Sequence, residues 1–169
     1  AFYKEPKLSQ CSKPSIMDCA VQSLTLKLFP DGYSGIAWIP YYSKTTGYEA
    51  KLSIDYTAYI TILGRAGIQI TSNIVYKNDE FLYEEGDSPR IIHKPNVFDK
   101  GESLGVYAIA TDKNGLKTHK VMSKEEVLHI KEKYSKNKGF WENDPLLNMW
   151  KKTAVRQLIK FVYKEKNDE

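Results

Sequence analysis

Three cations recur at helical spacing near the end of the chain. They are Lys152, Arg156 and Lys160, at i, i+4 and i+8 within WKKTAVRQLIKF, residues 150–161. An advance of ~100° per residue puts them in one stripe. Trp150, Ala154, Val155, Leu158, Ile159, Phe161 and Val162 fill the other half of the wheel. No acid is interleaved in the stripe, so its neighbouring charges repel by roughly 0.2–0.5 kcal/mol per pair. A polyanion laid along the stripe would relieve that repulsion. The chemistry implied is phosphate neutralisation. Lys151 departs from the pattern, because it falls in the apolar half and must snorkel, pair or sit at the edge of the packed surface. Two readings of it stay open: a lysine where the core thins out, or one lining a groove between this helix and a sheet.

A second set of residues would serve metal-assisted hydrolysis. Pro30-Asp31-Gly32, followed by Glu49-Ala50-Lys51 on an expected strand, is similar to the core of the PD-(D/E)xK nucleases. There Asp31 and Glu49 would hold a metal and Lys51 would steady the attacking water. Asp31 also sits in a Pro-Asp-Gly turn, where Asp and Gly are favoured on geometry alone. The acids Asp79, Glu80, Glu84, Glu85 and Asp87 surround an expected hairpin turn and read as a solvated loop. His93, His119 and His129 match no metal-ligand spacing. The chain has neither the phosphate-binding G-x-x-x-x-G-K-[ST] pattern nor a G-x-S-x-G nucleophile elbow. No metal, no cofactor and no nucleotide hydrolysis are therefore expected.

Charge is unevenly spread along the 169 residues. Residues 115–169 carry 13 Lys and Arg against 8 Asp and Glu, whereas residues 1–114 carry 12 against 13. The positive field thus sits in the C-terminal third, which points to an anionic partner, nucleic acid before an acidic membrane. A lysine-rich solubilising surface is the plainer alternative. A hydrophobic content of 41% suits one compact domain, and no apolar run reaches the ~18 residues that span a bilayer. Cys11 and Cys19 read as reduced thiols, which fits a cytoplasmic protein. The opening AFYKEPKLSQ has no Met and no secretory core, as expected for the interior of a longer chain.

The elements that must position these residues follow from periodicity and caps. Ser12 and Pro14 open a helix expected to run to about Phe29, with Met17, Ala20, Val21, Leu24 and Leu28 on its apolar side. IAWIPYY and GYEAKLSI form a strand pair, and Pro40 makes the first of them an edge or bulged strand. Asp55 caps a short helix that stops near Gly67. IQITSNIVY and EFLYEE are expected to pair as a hairpin across KNDE, and PRIIHKP is a short extended piece. Lys113-Asn114-Gly115 predicts a type I′ hairpin between LGVYAIATD and LKTHKVM. Ser123–Glu126 is a capping box for a helix to about Tyr134. SKNKGFWEN is a loop, and Asp144-Pro145 starts the last helix. The expected architecture is α+β, with helices packed on a meandering antiparallel sheet and one domain over 1–169.

Several stretches, taken in order, resemble the RecT family of phage-type single-strand annealing proteins. They are PSIMDCAVQSLTLKL, IAWIPYY, LSIDYTAYITILGRAGIQITSNIVYKNDEFLYEEGD, IIHKP, GVYAIA, VMSKEEV and MWKKTAVRQLIK, and they cover residues 12 to about 162. Where the family carries a Gly-Tyr-Lys-Gly-like run, this chain has Asp55–Tyr59, placing Thr57 at a usually basic position. Phe140-Trp141 replaces the usual Pro-Trp. The resemblance implies a strand-annealing-protein core with no enzymatic activity. It would coat single-stranded DNA and anneal it to a complementary strand without ATP, in homologous recombination and DNA repair. It further implies a homo-oligomer, ring or helical filament, that holds single strands and annealed duplex. A partner 5′→3′ exonuclease and a host single-strand-binding protein would be engaged through regions outside 1–169, since the family's partner-recruiting region would follow Glu169. The setting implied is a bacterial cytoplasm, at the nucleoid.

The residues suit that activity. Lys and Arg supply sequence-independent affinity by releasing counterions, and contacts to the backbone leave bases free to pair. The stripe of Lys152, Arg156 and Lys160 would track one strand, with Lys151 in the groove wall. Lys51 and Arg65 are candidates for the opposite wall, and Lys117 and Lys120 for a basic hairpin beside it. Tyr107, Trp141 and Trp150 are candidates for base stacking, although core packing accounts for Tyr107 and Trp150 as well. The competing readings are the metal nuclease and a module binding acidic membrane or protein.

Overall fold

The computed structural model describes residues 5–135 and 139–167, side chains at 140 and 163–167 excepted. The chain divides into two compact units, Ala1–Ala66 and Gly67–Glu169. Both units combine helices with antiparallel strands, so the fold is α+β. In place of a single meander, the strands form three small antiparallel sheets of two, three and two strands.

In the first unit, α1 (Lys13–Leu26) is capped by Ser12, whose hydroxyl accepts from the Ser15 amide. It packs beside a hairpin of β1 (Ile36–Ser43) and β2 (Gly47–Ile54), in which Pro40 opposes Ala50 in a two-stranded sheet with open edges. The buried side of α1 is not the expected one. Cys19 and Ser23 are buried with Ile16 packed alongside, while Met17, Val21 and Leu24 are exposed. Polar ties outweigh the apolar stripe here. The Ser23 hydroxyl donates to the Cys19 carbonyl at 2.7 Å and accepts from the Trp38 indole at 2.9 Å, and the Ser15 hydroxyl accepts from the Ala50 amide at 2.9 Å. The helix also stops short of Phe29, because Lys27 turns left-handed (φ 52°). Cys11 and Cys19 are free and buried, and burial pushes both thiols up. Asp55 caps α2 (Tyr56–Arg65) by accepting from the Thr57 amide at 2.8 Å.

The second unit is built on the sheet β3-β6-β7, comprising Gln69–Tyr76, Ser103–Thr111 and Lys117–Ser123. Ile74, Val106 and Met122 stand opposite one another in register and are buried. They share a face with Ala108 and Ala110, because alternate residues of a strand face the same way. Gly105 lies where β7 comes closest, and a Cβ there would sit 2.6 Å from the Met122 carbonyl oxygen. The helices α3 (Lys124–Tyr134) and α5 (Asn148–Asn167) pack on this sheet, with the short α4 (Gly139–Glu142) between them in the chain. The Ser123–Glu126 capping box is present. A helical turn thus occupies part of the loop expected over 135–143, of which 136–138 lie outside the described residues.

Two expected turns differ. β3 does not pair with β4 (Glu80–Glu84). It pairs with β6 over eight positions, and β4 pairs with β5 (Arg90–Lys94). The Asp79 carboxylate drives this: it accepts from the Tyr76 amide, the Asn96 amide (2.8 Å each) and His93 Nε2 (2.9 Å), drawing β5 rather than β3 towards the turn. Cross-strand pairs Glu80–Lys94 and Glu84–Arg90 then hold β4 to β5. The β6–β7 connection is not type I′, which needs positive φ at both central residues. Only Gly115 has it (φ 84°), and Asp112 Oδ1 accepts from the Asn114 and Leu116 amides to organise a five-residue loop.

The β4–β5 hairpin covers the sheet face opposite Val106 and Ala108. Phe81 stacks on Tyr107 with centroids 5.7 Å apart. His93 Nδ1 lies 3.1 Å from the Tyr107 hydroxyl, which accepts from the Asn73 amide group at 3.3 Å. Burial alone would raise the carboxyl of Asp79, but the hydrogen bonds from His93, Tyr76 and Asn96 hold it below its ordinary value. The Asp79 carboxylate accepts from His93 Nε2, which leaves Nδ1 facing the Tyr107 hydroxyl. A depressed carboxyl contributes stability above its unfolded-state value and loses it as pH falls. Asp79→Asn is therefore expected to cost about 3 kcal/mol at pH 7. Its melting-temperature deficit should shrink on acidification from pH 6 to pH 3, and a pH-independent deficit would contradict the assignment.

Candidate nucleic-acid interface

The helix that carries the cationic stripe begins at Asn148, three residues after the expected start at Pro145. Pro145 follows Asp144 into a turn, and Leu147 adopts a left-handed conformation (φ 52°) that no helix propagates through. Asp144 still caps the helix from a distance, its Oδ2 accepting from the Met149 amide at 2.6 Å and its Oδ1 from the Asn148 side chain at 3.1 Å.

From there α5 sorts its faces as the wheel predicts. Trp150, Ala154, Val155, Leu158, Ile159 and Val162 are buried. Phe161 is the exception at 57% exposure. It shares Trp150's side of the helix but lies eleven residues, about 16 Å, further along. Lys151 is half-buried at the centre of the apolar side, where its stem can cover apolar surface with the ammonium outward.

Lys152, Arg156 and Lys160 line one cavity of about 750 Å³, together with Trp141 of α4, Tyr134 of α3 and Gln157. Among the described residues of its lining, three are cations and none is an acid. Arg156 and Lys160 are exposed and Lys152 is half-buried. Lys160 Nζ donates to Gln157 Oε1 at 3.3 Å, and among the described residues Arg156 has no ion-pair partner. Glu142 of α4 is met by Lys131 at 3.9 Å, which offsets that nearby negative charge. The groove thus presents a positive field with aromatic rings in its wall, suited to a polyanion bearing flat groups.

The other candidates do not all join it. Lys120 lines an adjoining cavity of about 480 Å³ with Glu125, Glu126 and His129, so acids accompany its charge. Lys117 is an odd number of residues from Lys120 on β7, so it faces the other side of the sheet. His119 shares that side; burial, then Lys117, lowers its tendency to protonate. Tyr107 is buried under the hairpin, on the face away from Val106, and cannot reach this groove. Trp150 is buried in the core. In the first unit, Lys51 is exposed with its ammonium 4.0 Å from the centre of the Tyr41 ring. Arg65 donates to the Leu26 and Lys27 carbonyls, both at 2.9 Å, closing the C-terminal end of α1. The Thr57 hydroxyl bonds Asp55.

Asp31, of the metal-nuclease reading, is engaged within its own turn. Asp31 Oδ1 accepts from the Ser34 and Tyr33 amides at 2.8 and 2.7 Å, and these bonds hold its carboxyl below the usual range. Among the described residues no three His, Cys, Asp or Glu side chains converge as metal ligands.

Sequence reasoning missed Tyr134 and Gln157. The signal for Tyr134 was available: it falls four residues after Ile130 on a capped helix, and both line the groove. Gln157 follows Arg156 and carries no charge to mark it.

The model described as RecT family matches residues 2–168. The chain is 30% identical over 169 residues to Protein RecT of Escherichia coli (strain K12), a match covering 94% of this chain and 61% of that protein. The chain therefore spans about three-fifths of the length of this curated relative.

Arg65 separates structural from binding cations. Arg65→Ala is expected to lower stability by about 1 kcal/mol, read as a lower melting temperature, with affinity for a single-stranded oligonucleotide unchanged. Weaker binding at an unchanged melting temperature would instead place Arg65 in the interface.

Proposed function

The chain belongs to the RecT family, and from that premise we propose that it binds single-stranded DNA along the exposed stripe of α5 and anneals it to a complementary strand without nucleotide hydrolysis. The observation that carries this reading is the groove whose lining includes Lys152, Arg156 and Lys160 and, among the described residues, no acid. Lys and Arg on such a surface displace the counterions condensed on a strand's phosphates, giving affinity without sequence preference. Annealing needs two polyanions held close with their bases free, and cations on a helix flank hold the backbone rather than the base edges.

The stripe runs from residue 152 to 160, about 12 Å of helix, which is a few nucleotides of strand. Useful affinity then calls for copies side by side on one strand, as a ring or filament. A 5′→3′ exonuclease would supply the strand, a host single-strand-binding protein would compete for it, and annealed duplex would be the product. No helix of the described residues is long and apolar enough to cross a membrane. We place the activity in the bacterial cytoplasm.

Annealing of complementary oligonucleotides should accelerate on adding the protein without ATP or divalent metal; no acceleration by a preparation that binds single strands would refute the annealing step. Arg156→Ala should weaken binding and reduce the slope of log K against log salt by about 0.7 while leaving the melting temperature unchanged. An unchanged slope would remove Arg156 from the phosphate contacts.

A further inference from the structure

Tyr134 and Trp141 give the cationic groove a second chemistry. Tyr134 closes α3 and is 68% exposed. Trp141 is half-buried on α4. Both line the same cavity as Lys152, Arg156 and Lys160. The Lys133 ammonium lies 5.4 Å from the centre of the Tyr134 ring, adding a fourth cation beside it. A phosphate track alone cannot tell a single strand from a duplex, since both carry the charge. Aromatic faces can, because only an unpaired strand offers base faces outside a stack. The cavity's volume lies within the ~300–1,000 Å³ of pockets that take small ligands, so a base fits beside the track.

We infer that Tyr134 and Trp141 form a base-stacking subsite that makes this groove select unpaired over paired nucleic acid. The inference rests on the single-strand reading above and names the residues that would give it selectivity. Stacking takes a base by its π face and leaves its Watson–Crick edge open, whereas hydrogen bonds to that edge would block pairing. A groove built this way holds a strand without hiding what annealing must read.

The test compares three probes of equal length on the full chain: a thymine oligonucleotide, an abasic sugar-phosphate oligomer, and a blunt duplex. The wild type should bind the thymine strand at least tenfold more tightly than the abasic one. Tyr134→Ala and Trp141→Ala should each remove most of that difference without changing abasic binding or the salt slope. Tyr134→Phe and Trp141→Phe should restore it, because the ring rather than the hydroxyl or indole N–H does the work. Equal wild-type binding of the thymine and abasic strands overturns the subsite while leaving phosphate binding intact, and needs no variant to fold. Loss of affinity for both probes in the alanine variants also overturns it. Failure of the wild type to bind any single strand would overturn the proposed function itself, and the subsite with it.

Discussion

Burial of one side of α5 on the β3-β6-β7 sheet decides where every charge on that helix can go. Ala154 and Leu158 are sealed completely, and Trp150, Val155, Ile159 and Val162 nearly so. Each larger side chain is worth roughly 1.5–3 kcal/mol when buried. Turning the helix by one residue would lift several of these into water and drive Lys152 or Arg156 towards the core. The helix is therefore fixed in rotation, and the stripe of Lys152, Arg156 and Lys160 is fixed with it. Their mutual repulsion is small against that packing, so the fold can hold like charges together where a partner can use them.

The sheet is a partition as well as a support. Val106, Ala108 and Met122 point to one side, and Tyr107 and His119 to the other. Gly105 lets β7 close on β6 without a clash. On the far side, Asp79, His93, Tyr107 and Asn73 form a connected polar chain beneath the β4–β5 hairpin. Buried polar groups that satisfy one another define a unique arrangement more sharply than apolar contacts do. That network spends its residues on architecture, which is why Tyr107 serves the fold and the groove draws its rings from Trp141 and Tyr134.

What was legible in the sequence follows from the range of the forces involved. The α5 stripe, the Ser123–Glu126 capping box and the Asp55 cap are local, and all three appear as expected. Strand pairing is not local. β3 and β4 are neighbours in the chain, but the Asp79 carboxylate reaches Asn96 and His93, 17 and 14 residues on, and gives β4 to β5. The buried side of α1 was misread for a related reason, since Ser15 and Ser23 are tied to partners on β1 and β2 that a helical wheel does not contain. Of the candidate site, the stripe and Trp141 come together. Lys120 meets acids, Lys117 faces away, and Arg65 is occupied by the end of α1. Composition marks a residue as basic, but not what stands beside it.

The most direct test of the central claim, that the flank of α5 is the single-strand surface, is photocrosslinking. A halogenated single-stranded oligonucleotide would be irradiated with the protein, and the adducts mapped by mass spectrometry. The account places adducts on peptides spanning residues 130–160, centred on Tyr134, Trp141 and the α5 stripe. Adducts confined to residues 5–66, with none on α3, α4 or α5, would contradict it.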